Sequence, residues 1–178
     1  MNIDQLKIAL SFFKIAIITS IGIMVTSCTM LHLPKTTAKQ HTNRTETLSI
    51  HNKLRSQHHA PNLAWDDTLA SYAERHASKC QFRHSGSPYG ENLAAGYPSI
   101  SAAVNAWYAE RKQYNANQPG FSHRTGHFTQ LVWKASTAVG CGYATCNGKN
   151  GTPGKYWVCE YSPAGNVVNR GYFKANVM

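Results

Sequence analysis

The chain has 178 residues, a formal net charge of +10, 42% hydrophobic residues and 15% charged residues. That balance supports one buried core and excludes a long disordered chain. The basic residues are scattered, and neither a zinc-finger spacing nor an aromatic RNP pattern occurs, so nucleic acid is not an expected partner.

Residues 1–27 carry Lys7, Lys14 and the apolar run IAIITSIGIMV, which is too short for a membrane span. A basic start, a short apolar stretch and small residues at the end predict a secretory signal. Its end, V-T-S-C, resembles a bacterial lipobox, so Cys28 is the expected lipid anchor to a membrane and the cell envelope the expected location. Without residues 1–27 the charge becomes +9. A basic exterior of this kind favours anionic membrane or glycan surfaces. Residues 28–45, polar and rich in Thr and Lys, are expected to form a flexible tether spanning about 23 Å.

The domain is expected over 46–178. TETLSIHNKLRSQHH and NLAWDDTLASYAERHASKC show helical spacing, the second capped by Asp66 or Asp67. A Gly/Ser/Pro-rich loop, 81–99, precedes a third helix, SAAVNAWYAERKQY, started by Ser99 or Ser101. Next, FTQLVWKAS, AVGCGYATC and KYWVCEYSP read as strands, the last two joined through NGKNGTPG. Helices followed by antiparallel strands predict an α+β domain.

Five cysteines are present. With Cys28 set aside, Cys80, Cys141, Cys146 and Cys159 make an even set, as expected for disulfides in an exported domain. Sequence alone leaves three pairings open. There is no C-x2-C spacing for structural zinc, no phosphate-binding glycine motif, no G-x-S-x-G and no H-E-x-x-H.

Four polar residues stand in apolar or glycine-rich settings: His84 after Phe82, Glu91 in Y-G-E-N-L-A, Glu110 three residues after Trp107, and His127 in G-H-F-T-Q. Buried charges need partners, and each imidazole needs an acceptor to fix its tautomer. Carboxylate–histidine pairing meets both demands, so the four are expected in one pocket. His84 and His127 are the candidate Zn2+ ligands, with Glu91 or Glu110 reached through water. Ser85, next to His84, is a candidate nucleophile only if geometry assembles it with a base.

From H-N-x-x-R at His51–Arg55 onward, the chain resembles the CAP superfamily: cysteine-rich secretory proteins, antigen five and plant pathogenesis-related proteins. C-Q-F-R-H-S, Y-G-E-N-L-A, A-W-Y-x-E, G-H-F-T-Q-L-V-W, V-G-C-G and V-C-E-Y-S-P-A-G-N-V carry the resemblance in the family's order. They are similar to fungal and bacterial single-domain members in particular. The resemblance implies a three-layer α-β-α sandwich with a central antiparallel sheet, and a tetrad of His84, Glu91, Glu110 and His127. It places His127 at the start of the first core strand and pairs Cys80 with Cys141 and Cys146 with Cys159. Thr125 stands where plant members have a cysteine. The expected function is an exported, non-enzymatic binding module for a sterol or fatty acid, and for Zn2+, with no required cofactor. Tyr89, Tyr97, Trp107, Tyr108, Tyr114 and Phe121 are candidate groove residues. The alternatives are a metal-dependent hydrolase or peptidase and a surface-interaction protein with an architectural tetrad.

Overall fold

The computed structural model describes residues 36–177, with side chains from residue 43 onward. The expected signal, Cys28 and the start of the tether lie outside the described residues. Helix α1, Thr36–Ser56, begins inside the stretch expected to be a flexible tether, so 36–45 are helical rather than coil.

Helix α2, Asp67–Ala77, is capped by Asp66, whose side chain accepts from the backbone of Thr68 and Leu69. Helix α3, Ile100–Ala109, is capped by Ser99 and continues as a 3-10 turn, Glu110–Gln113. Four strands form one sheet: β1 (Ala64–Trp65), β2 (Gly90–Ala95), β3 (Ala138–Thr145) and β4 (Lys155–Ser162), in the order β1-β3-β4-β2. β2 and β3 run antiparallel to β4, and the short β1 runs parallel to β3. Residues 90–95, expected within a loop, form the edge strand β2.

Alternation along the strands separates two cores. Val139, Cys141, Trp157, Cys159 and Tyr161 face α1 and α3. Tyr156, Val158 and Leu93 face Ala73 and Ala77 of α2. β4 is buried on both sides, as the middle of three layers requires. The V-G-C-G motif explains how close α2 comes: a Cβ on Gly140 would strike the backbone of Asp66 and Ala70, and one on Gly142 the backbone of Glu74.

The two-sided sheet also corrects the disulfide pairing. Cys141 bonds Cys159, its direct cross-strand partner, and Cys80 bonds Cys146. Cys146, one residue past the end of β3, stands five positions after Cys141, an odd step that puts the two on opposite faces. Cys80 lies on the α2 face and cannot reach Cys141.

FTQLVWKAS is the second correction. Residues Gly126–Leu131 form a short helix, α4, with His127 in its first turn rather than at a strand start. Phe128 to Trp133 are all buried, and a continuous apolar run does not distinguish a buried helix from a strand. Side chains from other elements take the backbone groups that a ladder would have used. Arg55 donates to the carbonyls of Leu131 at 3.0 Å, Trp133 at 2.9 Å and Ser136 at 2.9 Å. Helix α5, Tyr172–Val177, closes this core with Phe173 stacked edge-on to Trp133.

Candidate functional site

Glu91 lies on the edge strand, with its side chain on the α2 face opposite Glu160. Gly90 precedes it because any side chain there would overlap Gln130. Glu91 Oε1 accepts from His84 Nδ1 at 2.6 Å and from the Ser85 backbone N–H at 3.0 Å. The Glu91 side chain is 5% exposed, that of His84 70%. Burial would push Glu91 up, but the hydrogen bonds from His84, Ser85 and Glu160 outweigh it and hold the carboxyl at about 2. The same bond, partly opposed by burial, raises His84 above the ordinary imidazole value.

Glu110 comes from the other layer. Its Oε1 accepts from His127 Nδ1 at 2.6 Å. Its Oε2 accepts from the backbone N–H groups of His127 and Phe128 at 3.0 and 3.2 Å. Thr125 makes no side-chain cap for α4, so Glu110 supplies that cap from outside the helix. Trp107 stacks on the His127 ring, with centroids 6.1 Å apart and planes tilted by 20°. The Trp107 indole is itself fixed by the Leu93 carbonyl at 3.0 Å.

Asn92, the next residue of β2, joins the layers. Its amide donates to the His127 carbonyl at 3.0 Å and to the Tyr161 hydroxyl at 3.4 Å. Tyr161 in turn meets His51 Nε2 at 2.9 Å, and His51 Nδ1 donates to the Thr47 carbonyl at 2.8 Å. Burial pushes His51 down to about 4, so it is neutral and its Nε2 accepts a hydrogen bond from the Tyr161 hydroxyl.

His84, Glu91 and His127 thus wall one cavity of ≈180 Å³ with Asn92 and Phe121. Glu110 supports His127 from an adjoining groove of ≈430 Å³ lined by Phe82, Tyr97 and Trp107. Each Nδ1 is committed to a carboxylate, and no hydrogen bond to either Nε2 occurs among the described residues. This is how a protein orients imidazoles whose Nε2 lone pairs serve a metal or an acidic ligand. Among the described residues, the one group of three ligand atoms within 4.8 Å of one another is His51, Cys141 and Cys159. Its sulfurs are joined as a disulfide, so it offers no thiolate. The His84–His127 cavity is an open site rather than a closed cage.

Of the expected groove residues, Tyr97 and Trp107 line the groove and Phe121 the cavity. Tyr89 lines a neighbouring surface pocket. Tyr108 and Tyr114 pack instead against Phe128. Ser85 Oγ accepts from the Ser87 backbone at 3.2 Å, and among the described residues no histidine bonds it. The residues that pattern reading did not single out are Asn92 and Glu160. Glu160 carried a signal: it is the one charged residue in the interior of KYWVCEYS, whose other interior positions are apolar or aromatic on both faces.

The family model for the cysteine-rich secretory protein family (CAP) matches residues 48–161. Protein PRY2 of Saccharomyces cerevisiae is 46% identical over 139 residues, covering 75% of this chain and 40% of that protein. Secreted protein RBT4 of Candida albicans is 42% identical over 149 residues, again covering 75% of this chain and 40% of that protein. The chain therefore spans less than half the length of these fungal relatives. Pathogenesis-related protein 1 of Arabidopsis thaliana is 40% identical over 128 residues, covering 68% of this chain and 77% of that protein. The crystal structure of NaASP2 with Zn2+ superposes with a TM-score of 0.61 at 27% identity, over 74% of this chain and 84% of that one. Two disulfides, the three-layer sandwich and secreted relatives agree with the family model: the chain belongs to the cysteine-rich secretory protein (CAP) family.

Proposed function

We propose that this is an exported, non-enzymatic binding module that holds a divalent metal, Zn2+ by donor chemistry, on Nε2 of His84 and His127. The observation that carries this reading is the pair of 2.6 Å carboxylate contacts that commit the Nδ1 atoms of two histidines lining one cavity and leave Nε2 as the nitrogen each ring has to offer. Neutral imidazoles backed by carboxylates suit Zn2+, and the open geometry leaves positions for water or a bound ligand. NaASP2, the similar protein solved with Zn2+, supports the choice of metal. Bound Zn2+ would supply a Lewis-acidic anchor for a ligand oxygen. Glu91 and Glu110 would keep the two rings oriented, and Trp107 would bar water from one side of His127.

The adjoining groove supports a hydrophobic small molecule, a sterol or fatty acid, as the second occupant. Its ≈430 Å³ is the scale of small-molecule sites, and it shares His127 with the metal cavity. A hydrolase reading lacks an assembled nucleophile, because His84 Nδ1 serves Glu91 and Ser85 Oγ serves Ser87. The V-T-S-C segment supports anchoring through a lipidated Cys28, which mass spectrometry of the mature N-terminus tests. The basic charge of the chain supports anionic membranes or glycans as surface partners.

Calorimetric titration with Zn2+ tests the metal reading. Wild-type protein is expected to bind one equivalent, and the His84→Ala, His127→Ala double variant none. Equal binding by both would overturn it. Titration of delipidated protein with fluorescent sterol and fatty-acid probes tests the groove, and no uptake at micromolar protein would refute that part.

A further inference from the structure

The two histidine arms differ in what stands behind the carboxylate. Behind Glu110 are backbone N–H groups. Behind Glu91 is another acid. Glu160 pairs directly across from Glu91 in the β2–β4 register and is fully buried at 0% exposure. Its Oε2 accepts from the Ser87 hydroxyl at 3.1 Å. Its Oε1 is equally buried and meets no donor among the described residues. Register and burial therefore set the two carboxyl side chains next to each other on the α2 face, both out of solvent.

Two carboxyl groups paired across strands on one buried face are not both anions, and one must hold a proton. Glu91 already accepts from His84 Nδ1 and the Ser85 backbone, so it is the better-stabilised anion. The proton belongs to Glu160. Placed on Oε1, it turns an orphaned acceptor into a donor and completes a relay that runs from Ser87 through Glu160 and Glu91 to His84.

We infer that Glu160 is a positioning residue for the His84 arm: as a neutral carboxylic acid it donates to Glu91 and fixes that carboxylate on His84 Nδ1, so that Nε2 is presented to the cavity. Glu160 lines neither the cavity nor the groove, and it acts only through Glu91. The surroundings agree. Burial first, and then Glu91, push Glu160 up to about 9. His76 of α2 and Tyr156 lie on this same face. His76 Nε2 donates to the Arg83 carbonyl at 2.8 Å and stands 4.0 Å from Glu91 Oε2. Tyr156 packs edge-on to His76. Burial first, and then Glu91, push the Tyr156 phenol up, so it brings no charge to this face at neutral pH.

This inference rests on the reading of His84 as a metal-facing residue, and its test separates the two. Glu160→Gln keeps both bonds, with the amide N–H toward Glu91 and the amide oxygen toward Ser87. Glu160→Leu removes both. Long-range 1H–15N spectra of metal-free protein read the His84 tautomer directly. Wild type and Glu160→Gln are expected to show the Nδ1–H form, and Glu160→Leu a mixture with the Nε2–H form. With Zn2+ present, Glu160→Leu is expected to lose about tenfold in affinity, as outer partners of metal-binding histidines do, while Glu160→Gln stays within about twofold. A folded Glu160→Leu that keeps the Nδ1–H tautomer, or a Glu160→Gln that loses it, would overturn the inference. The 13C resonance of the Glu160 carboxyl in wild type at neutral pH decides independently of whether the leucine variant folds. A protonated carboxyl supports the assignment, and an ionised one refutes it. If the tautomer follows Glu160 but wild type binds no Zn2+, the metal reading fails and the positioning role stands.

Discussion

The His84 arm and the His127 arm present the same chemistry to one cavity but are built from opposite layers of the sandwich. The His127 arm is local: Glu110 ends α3, caps α4 and holds the histidine in the first turn of that helix. The His84 arm is long-range. An exposed loop histidine is held by an edge-strand carboxylate, which meets a second acid on the central strand. The difference teaches that a carboxylate can be kept charged in two ways, by helix N–H groups or by a neighbouring acid that keeps its proton. The first kind fails by losing a cap, the second by stranding buried polar atoms.

That contrast predicts unequal costs. Glu91→Ala strands the Ser85 N–H and the Glu160 proton inside the protein and is expected to cost about 3 kcal/mol. Glu110→Ala removes a cap that is 19% exposed and is expected to cost about 1–2 kcal/mol. Urea denaturation of both variants checks the order, and equal losses would erase the distinction.

The acid pair also gives stability a pH signature. From about 4.5, the ordinary glutamate value, to about 9, the native pair keeps the Glu160 proton while the unfolded chain keeps none. The pair therefore makes stability fall as pH rises through that window, by at most ~1.4 kcal/mol per pH unit. Below about 4.5 the unfolded chain holds two protons and the native pair one, until Glu91 titrates at about 2. Stability then falls on acidification as well. Glu160→Gln deletes the alkaline branch, so it is expected to gain on wild type steadily from pH 5 to 9 in thermal unfolding. Parallel curves would contradict this.

Metal affinity should separate the arms further. Glu91 raises His84, so protons compete for its Nε2 at pH values above the ordinary imidazole range. Zn2+ affinity is expected to drop by up to about tenfold per pH unit as the solution is acidified through that point. His84→Ala is expected to flatten the dependence there.

The smallest effect concerns the two braces. Cys80–Cys146 closes 66 residues on the face that carries Glu91, and Cys141–Cys159 closes 18 on the other. On chain entropy alone, replacing the first pair by alanine should cost about 1 kcal/mol more than replacing the second.

Much of this was legible in the residues. Polar groups in apolar settings named both arms, and the caps Asp66 and Ser99 stand where capping chemistry put them. What failed was whatever depended on partners distant in sequence. FTQLVWKAS looks like a strand, but Glu110 and Arg55 take its backbone groups and let it turn as a helix. Residues 90–95 look like a loop until β4 supplies their ladder. The disulfide pairing needed the alternation of faces along β3, which spacing does not reveal. Glu160 was visible as an odd charge in an apolar strand, but its role depends on register, because only the pairing of β2 with β4 sets it against Glu91.

The central claim is that both imidazoles turn Nε2 toward one shared ligand position. Zn2+ titration followed by 15N spectra of the histidine side chains tests it most directly. The account predicts that the Nε2 signals of His84 and His127 shift together and saturate at one equivalent, while both Nδ1 atoms keep their protons. Shifts confined to one of the two, or none at either, would contradict it.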